Sequence, residues 1–327
     1  MTEYPTDDSK PTDGSETTYA SDTIYARHAP VFVLWACRET GIVDTLLEAP
    51  REPTEVAETT GVTERAAAVA LDALVALGFA EERNGEYRPT DRLSAFDPET
   101  PIEERGILPH RLDSLEKYLA LPTAMKGGDR PGFSETGLEN YAAGMASVDG
   151  SLLRAAVTAT EHAHPRPDCV LDVGGGIGRF GTEFARRGAA VTLVDRPGVI
   201  ELARQHLEGS DVEPVPGDAL ESLPDGFDLA FCGRLTVGFS PAENERLFEN
   251  VYEALDAGGT VACLEYVSGR SSIAPMFAVH MLAMSETGGT YTEEQYHTWL
   301  GRAGFVDVDV RDVPGTDCQL VIGRKPE

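Results

Sequence analysis

The chain has 327 residues, of which 41% are hydrophobic, and its 55 Asp and Glu against 27 Lys and Arg give a formal net charge of −28. This length and apolar content predict about two folded domains and exclude a chain that is disordered throughout. The charge disfavours nucleic acid and anionic membrane as partners because both are repelled, and the longest apolar stretches are far too short to cross a bilayer.

The N-terminal residues 1–22 are rich in Asp, Ser, Thr and Pro, which predicts a disordered acidic tail rather than a signal peptide or an anchor. The five cysteines are scattered without a CxxC pair, so neither a disulfide framework nor a metal site is expected. The expected location is cytoplasmic. Acidic residues occur along the whole length while Lys is scarce. This composition favours a halophilic source, with an ordinary acidic cytosolic protein as the alternative.

Residues 23–100 show the pattern of a winged helix. Helical spacing covers 24–40, shorter helices follow Gly41 and Thr54, another begins at Thr63, and Asn84-Gly85 joins two short polar strands as a hairpin. Such modules often bind DNA through a basic helix. Over residues 21–100, however, 7 Lys and Arg stand against 15 Asp and Glu, a net of −8. The charge therefore favours packing against a partner subunit over DNA binding.

Residues 101–165 are predicted to be helical, with helices at 114–121 and along an amphipathic run from 138 to 163, and to serve as a connector and pocket wall. From 166 to 327 strands and helices alternate, which predicts a Rossmann-like α/β domain with a parallel, doubly wound sheet and an antiparallel edge. The predicted strands are 169–173, 190–195, 212–215, 227–233 and 260–267, with a terminal hairpin of 306–310 and 319–322. The predicted helices are 178–187, 199–207, 241–255, 273–284 and 293–303.

A glycine-rich turn joins the first of these strands to its helix. Its glycines let the backbone approach a ligand and direct N–H groups toward it. The turn fits two ligand classes, because Gly176-x-Gly178-x-x-Gly181 matches the dinucleotide fingerprint while Asp172-x-Gly174-x-Gly176-x-Gly178 matches the S-adenosylmethionine pattern. For either class of ligand, Asp195 at the end of the second strand is placed to accept hydrogen bonds from both ribose hydroxyls.

Three features favour S-adenosylmethionine. Asp172 suits a ligand with a cationic amino-acid end and would repel a pyrophosphate. Gly217-Asp218 follows the third strand and places Asp218 where an adenine amine would donate. The helical N-terminal half and the terminal hairpin do not suit a dehydrogenase, which would have to bind NAD despite Asp172.

In these motifs the chain resembles the small-molecule O-methyltransferases of the caffeate and acetylserotonin type, over about residues 24–325. The matching stretches are 41–44, 141–145, 172–178, 194–197, 217–218, 257–260, 265–267, 288–290 and 304–305. The resemblance implies a winged-helix dimerisation domain before a Rossmann-like catalytic domain, a homodimer, and methyl transfer from S-adenosylmethionine to a small acceptor.

The resemblance also implies roles for residues. Gly174 and Gly176 would approach the methionine portion, Asp195 the ribose, and Asp218 with Ala219 the adenine. The full set expected at the cofactor is Asp172, Gly174, Gly176, Gly178, Asp195, Asp218, Ala219, Gly233 and Arg234. The set expected to line the acceptor pocket is Tyr141, Met145, Phe277, His280, Met281 and Met284.

The family pattern breaks after the fourth strand, where relatives carry a histidine that removes the acceptor proton. Here Val237 occupies that place, Gly238-Phe239 replaces Asp-Trp, and Gly233 stands where a basic side chain is usual. A general base matters because a phenol of pKa near 10 is a poor nucleophile at neutral pH.

Three explanations follow: His280 acts as the base, the acceptor needs none, or the protein binds the cofactor without transferring methyl. A winged-helix regulator with a ligand-sensing domain is a further alternative. The prediction is an O-methyltransferase.

Overall fold

The computed structural model describes residues 24–132 and 135–327. The expected acidic tail, 1–22, lies outside them. Contacts divide the chain into two compact units, one ending at Leu93 and the other spanning Ser94–Glu327. The second unit therefore contains both the expected connector, 101–165, and the sheet. Within the described ranges, no helix has the length and apolar content that crossing a bilayer requires.

The first unit consists of four helices and a hairpin. They are α1 (Ile24–Glu39), α2 (Ile42–Glu48), α3 (Pro53–Thr60), α4 (Glu64–Ala76), β1 (Ala80–Arg83) and β2 (Glu86–Pro89). Helix α3 is capped by Glu52, whose side chain forms a capping box with Glu55, and not from Thr54 as the sequence suggests. Pro53 occupies the first helical position, where its missing N–H costs nothing, and the cap therefore lies two residues earlier than predicted.

The hairpin of the first unit has the predicted turn. Asn84 and Gly85 have φ angles of 56° and 88°, the left-handed pair that a two-residue hairpin turn needs. Tyr87 on β2 donates from its hydroxyl to Asp72 of α4 at 2.7 Å, which ties the hairpin to the helices. The core of this unit includes Val43, Leu46 and Leu71, all fully buried.

Five helices precede the large sheet in the second unit. They are α5 (Ile102–Arg105), α6 (Leu108–Leu119), α7 (Leu121–Ala124), α8 (Glu135–Ala146) and α9 (Gly150–Ala163). The prediction of one long helix over 138–163 is wrong, since the chain breaks between Ala146 and Gly150. The Asp149 side chain accepts a hydrogen bond from the Ser151 N–H at 2.6 Å and starts α9 as its N-cap.

The sheet has seven strands in the order β5-β4-β3-β6-β7-β9-β8. The strands are β3 (Cys169–Val173), β4 (Ala190–Asp195), β5 (Val212–Pro216), β6 (Phe227–Gly233), β7 (Leu255–Glu265), β8 (Val306–Asp312) and β9 (Gln319–Arg324). Strands β3 to β7 are parallel, and β9 runs antiparallel to both β7 and β8. This confirms the predicted doubly wound sheet with an antiparallel edge.

Helices cover both faces of the sheet. They are α10 (Arg179–Arg186), α11 (Pro197–His206), α12 (Pro241–Ala254), α13 (Ala274–Met284) and α14 (Glu293–Ala303). One buried cluster contains Phe184 and Phe231, and the other contains Phe248 and Trp299. Because both faces are buried, the central strands are continuously apolar, and that pattern made them predictable.

Candidate functional site

A cleft of about 390 Å³ opens at the carboxyl ends of the parallel strands. It lies where β3 stands between β4 and β6, the point at which the strand order reverses and α/β sheets bind their ligands. The cleft brings together most of the residues expected at a site: Asp172, Gly174, Gly176, Asp195, Asp218, Ala219, Gly233, Arg234, Tyr141 and Met145. It is not lined by Gly178, Phe277, His280, Met281 or Met284.

The glycines of the β3–α10 loop serve different purposes. Gly174 has φ +62°, and a Cβ there would lie 2.5 Å from Leu235 Cδ1, so the position needs glycine for both conformation and packing. Gly176 has φ +60°, yet a Cβ there would meet no atom within 4 Å, which leaves its backbone open to the cleft. At Gly178 a Cβ would lie 2.8 Å from Leu207 Cδ2, so this glycine packs the loop against α11 and does not face the cleft.

Asp172 ends its strand fully buried beneath the loop. Its Oδ2 accepts from the Gly181 N–H at 2.9 Å, while its Oδ1 has no hydrogen-bond partner among the described residues. Burial raises the pKa of this carboxyl to about 7, and the nearby Asp195 adds to the effect. A buried carboxylate oxygen that lacks a donor and lines a cleft is suited to a cationic ligand group.

The carboxylate of Asp195 is fixed by backbone groups at the end of β4. Its Oδ2 accepts from the Gly176 N–H at 2.9 Å and its Oδ1 from the Arg196 N–H at 2.7 Å. Each oxygen keeps a lone pair for a ligand hydroxyl. Asp218, beyond β5, is exposed, and its Oδ1 accepts from the Leu220 N–H at 2.8 Å, which orders the turn that carries it.

The end of β6 supplies the opposite wall. A Cβ on Gly233 would lie 3.1 Å from the Phe180 ring, so no larger side chain fits there without a shift. Arg234 has φ 57° and donates its backbone N–H to the Leu264 carbonyl at 2.9 Å. Burial raises the pKa of Tyr141, across the cleft, and the positive charge of Arg234 opposes that rise.

After β6, the chain lies away from the cleft at Val237, the position where a histidine was expected from the family pattern. Val237 is 4% exposed, lies in a short 3₁₀ turn, and accepts from the Gly289 N–H through its carbonyl at 2.9 Å. Its neighbour Thr236 donates to Glu265 Oε1 from both its N–H, at 2.9 Å, and its hydroxyl, at 2.6 Å. Val237, the residue predicted to occupy the histidine's place, is therefore part of the core.

Glu265 itself is fully buried at the end of β7. Burial raises its pKa to about 7, against the hydrogen bonds from Thr236 that lower it. Its Oε2 accepts no hydrogen bond within the described chain. Tyr296 completes the network, with its hydroxyl 2.7 Å from the Thr236 hydroxyl.

The residues expected at the acceptor pocket lie partly in an aromatic group on α6 and α13. His280 Nδ1 is 2.9 Å from the Tyr118 hydroxyl, and its ring centroid is 5.4 Å from that of Phe277. Phe277 in turn lies 5.0 Å from the ring of Tyr266, just beyond β7. Burial lowers the pKa of His280 and the nearby His110 lowers it further, which favours the neutral imidazole. Met281 and Met284 occupy the same helix, buried and half-buried respectively.

Sequence reasoning gave no role to two charged residues of the cleft, Arg196 after β4 and Arg179, the first residue of α10. The Arg179 Nη2 donates to the Val148 carbonyl at 3.3 Å, whereas its buried Nε has no hydrogen-bond partner in the part of the chain described. The signal available in the sequence was its position directly after Gly178. No group of three or more His, Cys, Asp or Glu among the described residues is arranged to hold a metal ion.

Comparison with known proteins gives a consistent result. Residues 132–306 match the family profile of the O-methyltransferase domain. A 3-hydroxy-5-methyl-1-naphthoate 3-O-methyltransferase of Streptomyces sahachiroi is 26% identical over 297 residues, which are 84% of this chain and 86% of that enzyme.

Two solved structures share the fold. PigF with SAH, from Serratia, aligns with a TM-score of 0.72 at 21% identity, covering 90% of this chain and 96% of PigF. Human N-acetylserotonin methyltransferase in complex with SAM aligns with a TM-score of 0.68 at 22% identity, covering 94% and 99%.

Proposed function

Because the chain belongs to the O-methyltransferase domain family, whose enzymes depend on S-adenosylmethionine, we propose that it methylates a hydroxyl group of a small aromatic acceptor. The observation that carries this proposal is the cleft, where a buried carboxylate, a glycine loop and a second carboxylate line one cavity at the switch point of the sheet. The naphthoate enzyme of Streptomyces sahachiroi acts, by its name, on a ring hydroxyl, which supports the choice of acceptor class.

The cleft residues fit the cofactor. When bound, S-adenosylmethionine supplies a methyl group on a sulfonium that an oxygen nucleophile can attack in line. Asp172 would accept from the ammonium of the amino-acid end, and Asp195 from the ribose hydroxyls. Gly174 and Gly176 would let the backbone approach the methionine portion, and Asp218 with Ala219 would border the adenine. Gly233 and Arg234 line the same cleft and would hold the cofactor from the end of β6.

We propose that the general base is His280, which lies with Tyr118 and Phe277 outside the cofactor cleft, since Val237 is buried and carries no titratable group. The lowered pKa of His280 keeps its imidazole neutral at pH 7, as a proton acceptor must be. Phe277, Met281 and Met284 on the same helix, with Tyr141 and Met145 on α8, supply an apolar surface for an aromatic ring.

The base assignment is tested with acceptor phenols of graded acidity. In the His280→Ala variant, kcat/KM for phenols with pKa near 10 should fall at least about 100-fold relative to the native chain. For nitrophenols that are already ionised at the assay pH, kcat/KM should change little. Met276→Leu, at an exposed position of the same helix and outside the proposed pocket, is the matched control. An equal loss for every phenol would assign His280 to packing instead.

The first test of the proposed function is calorimetric titration at high salt with S-adenosylmethionine, S-adenosylhomocysteine and NAD, followed by a screen of aromatic hydroxyl compounds for methylated product. Binding of both adenosyl ligands without NAD, and one methylated product, would support it. Binding without product across the screen would favour the second candidate, a cofactor-binding relative that does not transfer methyl, to which the burial of Val237 points.

We further propose that the chain forms a homodimer through its first unit, which has the helices and hairpin of a winged helix. Support comes from a groove of about 440 Å³ between α1 and α4, lined almost wholly by apolar groups. Val69, in the lining of this groove, is 62% exposed, and Phe32 on α1 is 46% exposed. The acidic composition supports a halophilic protein, and five free cysteines agree with a cytoplasmic one. The −8 balance of residues 21–100 opposes DNA binding.

A further inference from the structure

His280 is connected to the cofactor cleft by two short chains of contacts. In the first, Tyr141 lines the cleft, its ring centroid lies 5.3 Å from that of His110, and the charge of His110 acts on His280. In the second, Arg234 lines the cleft and is hydrogen-bonded to Tyr266, whose ring contacts the aromatic side chains of α13. The imidazole therefore stands within a few side chains of the cleft on two sides.

One nitrogen of this imidazole is already bound, and the other is accessible. Nδ1 of His280 lies 2.9 Å from the Tyr118 hydroxyl, with the two ring centroids 5.9 Å apart. The contact joins α6 to α13, which pack against each other. Within the described residues, Nε2 takes part in no hydrogen bond, and it is not among the fully enclosed atoms that lack a partner. A ligand can therefore reach it.

The direction of the Tyr118 hydrogen bond decides what Nε2 can do, because a neutral imidazole carries only one proton. If the hydroxyl donated to Nδ1, Nε2 would hold the ring proton and be unable to accept another. If Nδ1–H donates to the hydroxyl oxygen, Nε2 presents a free lone pair. Tyr118 is 42% exposed, so water is available to accept its own hydroxyl proton. The second arrangement is therefore chemically complete, and it alone suits a base.

We propose that Tyr118 is a positioning residue, whose hydroxyl oxygen accepts from Nδ1–H of His280 and so leaves the Nε2 lone pair free for the acceptor. This inference rests on the proposed function and adds a residue to its proton transfer. The acceptor O–H bond breaks, and its proton goes to Nε2. The oxygen attacks the methyl carbon while the electron pair of the methyl–sulfur bond passes to sulfur. Water then takes the proton from Nε2.

The tautomer of His280 tests this directly. Nitrogen-15 NMR of the full chain, labelled at histidine and studied at about pH 8 in KCl, distinguishes a protonated from an unprotonated ring nitrogen. In the native chain His280 should carry its proton on Nδ1. In Tyr118→Phe the proton should move to Nε2, the position that imidazole favours in water. His280→Gln identifies the signals. Tyr252→Phe, which removes a hydroxyl from α12, is the matched control and should leave the tautomer unchanged.

Kinetics give a second readout that a merely structural role would not produce. Tyr118→Phe should lower kcat/KM about 10-fold for phenols with pKa near 10. For nitrophenols that are already ionised at the assay pH, kcat/KM should change by less than about twofold, because they need no base. An equal loss for both classes would overturn the inference.

The native spectrum decides even if Tyr118→Phe does not fold. A proton on Nε2 of His280 in the native chain would overturn the inference, as would a proton that stays on Nδ1 in Tyr118→Phe. A native chain with the expected tautomer that methylated no hydroxyl compound would instead refute the proposed function, while the direction of the hydrogen bond stood.

Discussion

Asp172 couples cofactor binding to a proton. Its pKa of about 7 in the free protein means that the buried carboxyl is mostly protonated at pH 6, and an ammonium beside it would lower that pKa. We predict that S-adenosylhomocysteine binding at pH 6 releases about one proton per molecule. Calorimetry in two buffers of different ionisation enthalpy measures this release. Asp172→Asn, or 5′-methylthioadenosine, which lacks the amino-acid end, as the ligand, should abolish it, and release by either would contradict the assignment.

The two buried carboxyls also make stability depend on pH. Asp172 and Glu265 have pKa values near 7 when folded, above those of an unfolded chain, so the folded state holds more protons between about pH 4.5 and 7. Their contribution to stability is present below that window and is lost as the pH rises through 7.

Urea unfolding at constant high salt should therefore show stability falling from pH 5 to 8 by a few kcal/mol. Glu265→Gln should flatten the curve relative to the native chain, as should Asp172→Asn, whereas the surface change Glu213→Gln should not. If the stability curves of both buried variants ran parallel to that of the native chain, Asp172 and Glu265 would be excluded as the cause of the pH dependence.

At the residue scale, sequence reasoning found what lies close together in the chain. The spacing of Asp172, Gly174 and Gly176 identified the loop, because these residues meet through local geometry. The hydrogen bond between Tyr118 and His280 joins positions 162 apart, and only the packing of α6 against α13 creates it. Arg179 escaped notice because no motif names it and its unpaired Nε is a property of the folded cleft.

At the scale of elements, two substitutions in the glycine loop distinguish the cost of backbone strain from the cost of a packing clash. Gly174→Ala and Gly176→Ala both place a side chain at positive φ, which costs about 1–2 kcal/mol. Only the first adds a clash, with Leu235. We predict that Gly174→Ala lowers the free energy of unfolding clearly more than Gly176→Ala, while Gly176→Ala chiefly weakens S-adenosylhomocysteine. Urea unfolding and calorimetry measure the two effects, and equal destabilisation would contradict the structural difference.

The groove between α1 and α4 gives a test of the proposed dimer. Val69→Glu would place a charge in an apolar contact without a partner, so the dimer should weaken at least about 10-fold. Light scattering after size exclusion, over a range of protein concentrations, measures the effect. The control is Glu82→Lys on the hairpin, away from the groove. A native chain that is monomeric at every concentration would refute the dimer.

Element boundaries were predictable where burial was continuous. Strands β3, β4 and β6 match the sequence prediction, because two-sided burial makes each a mainly apolar run. Strand β7 begins at Leu255, five residues before the predicted start, because the apolar run that predicted the strand starts only after Gly258 and Gly259. The break between α8 and α9 was missed because apolar spacing continues through it, and only the Asp149 cap marks the new start.

For the whole molecule, a net charge of −28 predicts strong dependence on salt. Carboxylates repel one another across the surface, and ions screen that repulsion within about 10 Å at 0.1 M. We expect the melting temperature to rise by several degrees as KCl increases from low to molar concentration. Sucrose at matched osmolality is the control for non-ionic exclusion. A melting temperature indifferent to KCl would contradict a stability limited by charge repulsion.

The burial of Val237 has an evolutionary consequence. A histidine at this position would bring two ring nitrogens into a site that is 4% exposed, next to a backbone already locked to Gly289. Such a substitution would cost stability before it restored any proton transfer. We therefore expect that Val237→His alone would not supply a base, and that a stronger base would be introduced more readily on α6 or α13. Because packing disfavours a histidine at position 237, selection for faster proton transfer would act on a different part of the fold.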